Sequence, residues 1–155
     1  MRPSVIGVLA AGSVLAAVVG GCGGAKLSKP DLIHRADARC AQDNRRISAI
    51  PQPTFSPLAA TAAQLPQAAR YLAKVNPIHR SEIAYLHGLG EPTESAGQWK
   101  AVLDEADQAG AALRNAERYA RAGNLARFRS QFARLERNRY PQLARRFGLT
   151  ECGQG

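Results

Sequence analysis

Apolar residues recur every three or four positions from about residue 29 to the C-terminus, and no stretch alternates with the two-residue period of a strand. The spacing predicts four helices. The first opens at Ser28, an N-cap residue, with Pro30 and Asp31 suited to the opening turn. Ile33, Ala36, Cys40, Ile47 and Ile50 form its stripe, and Pro51-Gln52-Pro53 ends it, because a residue before proline disfavours helix. The second is expected over residues 56–87, with Leu58, Ala62, Leu65, Ala69, Leu72 and Val75 inside and Ile83 and Leu86 continuing the face. Pro66 and Pro77 fall within it, and a kink or break is expected near Pro77.

The third helix is expected from Thr93 or Glu94 to Ala122, with Trp99, Val102, Leu103, Ala106, Gly110, Leu113 and Ala120 on one side. Gly123 suits its left-handed exit and Asn124 the next cap. The fourth runs to about Phe147 along Leu125, Phe128, Phe132, Leu135 and Leu143, with a kink at Pro141 and a stop at Gly148. The expected fold is all-α: a four-helix up-down bundle with proline-kinked second and fourth helices.

The first residues read differently. Arg2 precedes an uncharged apolar run over residues 5–19, and Val19-Gly20-Gly21-Cys22 follows. That is the layout of a secretory signal peptide. An apolar residue, two small residues and then Cys resembles the lipobox of bacterial lipoproteins, with Gly20 where Ala or Ser is commoner. The resemblance implies cleavage before Cys22 and a diacylglyceryl group on its thiol. Two other readings fit the same residues: an ordinary signal peptide beside a free Cys, and an uncleaved anchor. The run is short for a spanning helix, which needs about 20 apolar residues. The expected organisation is a signal peptide over 1–21, a flexible tether over 22–28 and a helical domain over 29–155, held at the extracytoplasmic face of the cell membrane.

The chain has 3 Cys. With Cys22 lipidated, Cys40 and Cys152 become an even pair in an oxidising compartment, where a disulfide persists. Two free thiols are the alternative; no C-x-x-C is present for a metal or redox site. Ala36-Asp37-Ala38-Arg39-Cys40 and Gly148-Leu149-Thr150-Glu151-Cys152-Gly153 are similar to small secreted helical proteins of high-GC actinobacteria. That resemblance implies paired cysteines and a helical fold, and no activity.

Composition bounds the rest. A length of 155 residues suits one domain, and 45% apolar against 6% aromatic residues marks an alanine-rich helix former. Large multidomain enzymes and collagen-like repeats are excluded. The net charge is +9; losing Arg2 with the leader lowers it by one. Arg127, Arg134, Arg137 and Arg145 fall opposite the apolar stripe of the fourth helix, and Arg114, Arg118 and Arg121 extend the basic region. An anionic lipid surface or a cell-wall polymer fits such a face; a merely solvated face carries the same residues. Nucleic acid is not expected, since no recognition motif is present and few aromatics lie among the arginines. Arg139 falls on the apolar side, which requires either a re-registered helix at Pro141 or a carboxylate partner.

Catalytic signatures are sparse. There is no G-x-S-x-G, H-E-x-x-H or P-loop. His79 and Glu82 share a helix face, but a metal would need His34 or His87 to converge on them. Asp104, Glu105 and Asp107 read as a solvated acidic face. The expected function is therefore non-catalytic, without a cofactor: a binding or scaffolding module of the cell envelope. The alternative is a helical-bundle carrier of a small ligand or metal. A cavity near Pro77 lined by Tyr71, Ile78 and His79 would favour the carrier; a continuous arginine strip would favour the interaction module.

Overall fold

A computed structural model describes residues 26–154; the expected signal peptide and Cys22 lie outside the described residues. Five α-helices form: α1 (Lys29–Ser48), α2 (Leu65–Gly88), α3 (Ala96–Arg121), α4 (Leu125–Glu136) and α5 (Tyr140–Phe147). No strand occurs among the described residues, so the described part of the chain is all-helical. None of these helices is long and apolar enough to cross a membrane.

The caps follow local chemistry. Ser28 Oγ accepts the Asp31 N–H at the head of α1, and Asn124 Oδ1 accepts the Arg127 N–H at the head of α4. Gly123 (φ 67°) and Gly148 (φ 114°) supply the left-handed residues that end α3 and α5.

Two segments depart from the expected pattern. Residues 56–64 do not join α2; they form two 3-10 turns, Pro57–Ala59 and Ala62–Gln64. Pro66 then sits in the first turn of α2, where its missing N–H costs no helix bond. The expected fourth helix is two helices. Arg137, Asn138 and Arg139 separate α4 from α5, and Pro141 opens α5. Asn138 fixes the junction: its Oδ1 accepts the Tyr140 N–H while its Nδ2 donates to the Glu105 backbone carbonyl and carboxylate on α3.

Pro77, in contrast, lies inside α2, which continues through it. It removes one helix hydrogen bond. The neighbouring Asn76, buried, donates to Glu117 Oε2 (2.6 Å) and to the Leu113 carbonyl, fastening α2 to α3 at that point.

Two apolar clusters make the core. One gathers Leu32, Cys40, Leu86, Trp99 and Phe147; the other gathers Leu65, Leu72, Ala116, Ala120 and Phe128. Trp99 and Phe147 pack with ring centroids 5.3 Å apart, and the Trp99 indole N–H donates to the Gly90 carbonyl. Cys40 and Cys152 are joined, with sulfurs 2.05 Å apart. The tail after Gly148 runs back along α1 to reach Cys40. The Asp37 carboxylate accepts the N–H groups of Thr150, Glu151 and Cys152 and the Thr150 hydroxyl, and Asn44 donates to the Glu151 carbonyl.

Candidate functional site

The proline connector after α1 cannot continue as helix, and its residues 52–57 instead pack beside α2, α3 and α4. Beneath it lies a cavity of about 320 Å³. Its walls come from Ile47 at the end of α1, Gln52, Pro53, Phe55 and Pro57 of the connector, and Ala68, Tyr71, Leu72, Val75 and His79 of α2. Leu113 of α3 and Phe128 and Phe132 of α4 close it. The two phenylalanine rings pack with centroids 5.1 Å apart. The volume falls at the small end of the roughly 300–1,000 Å³ typical of ligand sites, and the mostly apolar wall with few polar groups is also typical.

Three polar side chains reach this wall: Gln52, Tyr71 and His79. Burial raises the pKa of Tyr71 and lowers that of His79, the latter opposed by the charge of Asp43. At neutral pH both are uncharged, so the cavity offers hydrogen bonds without a formal charge. Tyr71 and His79 meet the expectation for a cavity near Pro77. Ile78 does not line it; it is buried in the core.

Next to His79 lies a buried polar cluster: Glu82, which the sequence already placed on its helix face, and Asp43 and Tyr140, which the sequence reading missed. Asp43 of α1 is 0% exposed and accepts from Arg39 Nε and Arg46 Nη1. Glu82 of α2 is 6% exposed. Burial first, then the charge of Asp43, push its pKa up to about 7, against the lowering effect of Arg39. The Tyr140 hydroxyl of α5 is buried without a hydrogen-bond partner, and burial, Glu82 and Asp37 all raise its pKa. A signal for Asp43 existed: it follows Ala36 and Cys40 at helical spacing on the buried stripe of α1.

No family model matches the chain, and no curated protein or solved structure is significantly similar to it. The functional reading therefore rests on the residues alone.

The remaining candidates separate. His34 is exposed on α1, His79 faces the cavity, and His87 meets Asp107 of α3 at 3.1 Å. No group of three His, Cys, Asp or Glu side chains converges to hold a metal ion among the described residues. The α3 carboxylates also disperse: Asp104 pairs with Lys100 (2.6 Å) and Glu105 with Arg139 (3.2 Å). Arg139 is exposed and carboxylate-paired, because the helix break before α5 turns it off the apolar side.

Arg127, Arg134, Arg137 and Arg145 are all exposed. The break after Glu136 leaves the first two on α4, Arg137 at its C-cap and Arg145 on α5, so one helical wheel does not describe them. Arg127 stacks over Tyr119, and Arg145 donates to the Gly153 carbonyl.

Proposed function

We propose that the protein is a non-catalytic binding module of the cell envelope, lipid-anchored at Cys22, that carries a small apolar ligand in the cavity beneath the proline connector. The observation that carries this reading is the cavity itself, with its apolar wall and uncharged Tyr71 and His79. In this reading the helices follow up-down order, with a bend in α2 at Pro77 and another between α4 and α5. Support for that order comes from the pairings: Arg39 with Ser81, Asn76 with Glu117, and Asn138 with Glu105.

The tether would enter beside α1's first residues, where the Thr93 N–H donates to the Leu27 carbonyl. The cavity lies at the other end of α1, whose 20 residues at 1.5 Å each span about 30 Å. A membrane at the tether end would leave the cavity facing the extracytoplasmic space. The four exposed arginines, which extend from the cavity end on α4 to α5, support a second contact with an anionic wall polymer.

Two measurements test the proposal. Radiolabelled palmitate fed to cells is expected to enter the full chain and not its Cys22→Ser variant; equal labelling of both would remove the anchor. Native mass spectra of the full chain, released from its envelope in detergent micelles, are expected to retain a small-molecule mass. Ala68→Leu, which pushes a larger side chain into the cavity wall, is expected to lose that mass. A bare parent spectrum, with added apolar ligands also failing to bind, would sink the carrier reading.

A further inference from the structure

An open groove of about 550 Å³ adjoins the cavity and shares two of its wall residues, Pro53 and Tyr71. Its character is different. Arg70, Lys74 and Arg121 line it, and no carboxylate does. Arg121 is held by Glu117 at 2.6 Å. Arg70 and Lys74 take part in no ion pair among the described residues. They stand four positions apart on α2, so two like charges are neighbours on one helix face, an arrangement that weakens a helix unless an anion relieves it. A half-open, mostly apolar cavity therefore adjoins a two-cation shelf, with Tyr71 on the wall between them.

We propose, building on the carrier reading, that the ligand is a single-chain anionic amphiphile. Its hydrocarbon chain fills the cavity, and its carboxylate or phosphate head rests on Arg70 and Lys74. The guanidinium offers a planar fork to either head and the ammonium a compact charge. Size limits the chain. A methylene fills about as much space as a water molecule, about 30 Å³ in the liquid, so about 320 Å³ accepts roughly ten carbons. Two full chains do not fit. The uncharged wall formed with His79 and Tyr71 disfavours a second charged group within the chain.

The test is photolabelling of the full chain in its own envelope membranes, using three diazirine-tagged probes with the same decyl chain: a carboxylate, a phosphate monoester and a trimethylammonium. Both anionic probes are expected to mark α2 peptides around Tyr71–His79 and α4 peptides around Phe128–Phe132, about tenfold more than the cation. The stronger of the two anions identifies the head group. Arg70→Glu with Lys74→Glu, both at exposed positions, is expected to reverse the preference between anion and cation. Ala68→Leu is expected to reduce labelling by all three. Equal labelling of the cavity peptides by anion and cation, unchanged in the charge-reversed variant, would overturn the anionic head while leaving an apolar carrier. Absence of cavity adducts with every probe would overturn both.

Discussion

Replacing Cys40 and Cys152 together by Ala is expected to lower the thermal unfolding midpoint by about 10–20 °C. The two residues are 112 positions apart, and their bond closes nearly the whole described chain into one loop. In the chain-entropy view, closing a loop of that size removes about 4–5 kcal/mol of unfolded-state freedom. Both cysteines are buried, and Ala preserves an apolar contact without adding an unsatisfied hydroxyl. The tail would not detach entirely. Asp37 still accepts the N–H groups of Thr150, Glu151 and Cys152, and Leu149 remains in the core. The loss should therefore appear as a lower midpoint of one transition, followed by circular dichroism at 222 nm, rather than as release of the tail alone. A midpoint within a degree or two of the parent would mean that the unfolded chain gains little freedom when the bridge is absent.

The contribution of Glu82 to stability is expected to fall as pH rises from about 4.5 to about 7, against the opposite trend of His79, and Glu82→Gln is expected to remove that contribution. Glu82 faces Asp43 and Arg39 from α1 and Tyr140 from α5, with His79 one turn away on its own helix. Its folded pKa, raised by burial and by Asp43, stands above the ordinary value of 4.5. Between those two values the folded protein keeps a proton that the unfolded chain has lost. Each pH unit across the window therefore removes stability, and above about 7 the curve is level with respect to this group. At about 1.4 kcal/mol per unit the total comes to a little over 3 kcal/mol. Gln resembles the protonated acid and does not ionise. Denaturant titrations should place the variant level with its parent near pH 4.5 and above it by up to about 3 kcal/mol at pH 8. An equal difference at both pH values would show that Glu82 ionises as freely in the fold as out of it.

The helices were legible because burial on one face leaves a periodic trace, and because Ser28, Asn124, Gly123 and Gly148 each mark an end by a local mechanism. Periodicity misled where several prolines lay close together. Leu58 and Ala62 fit the second helix by spacing, yet Pro57 and Pro66 divide that stretch into short 3-10 turns. The same weakness affected Arg127–Arg145. A single wheel drawn through Pro141 assumed a rigid rod, and the junction at Asn138 breaks it. The cysteine pair was legible from parity and expected compartment, whereas the clamp by Asp37 was not, since its partners are backbone groups more than 110 positions away. The cavity was partly legible: Pro77 drew attention to Tyr71 and His79, but the aromatic wall from Phe55, Phe128 and Phe132 depends on tertiary packing.

The most direct measurement is a crystal structure of the protein extracted from its own envelope, without added ligand. Elongated density is expected inside the wall formed by Leu72, Val75, Leu113 and Phe128, reaching toward Tyr71. A collapsed site, with Phe128 and Phe132 filling the space and no density between α2 and α4, would contradict a carrier function.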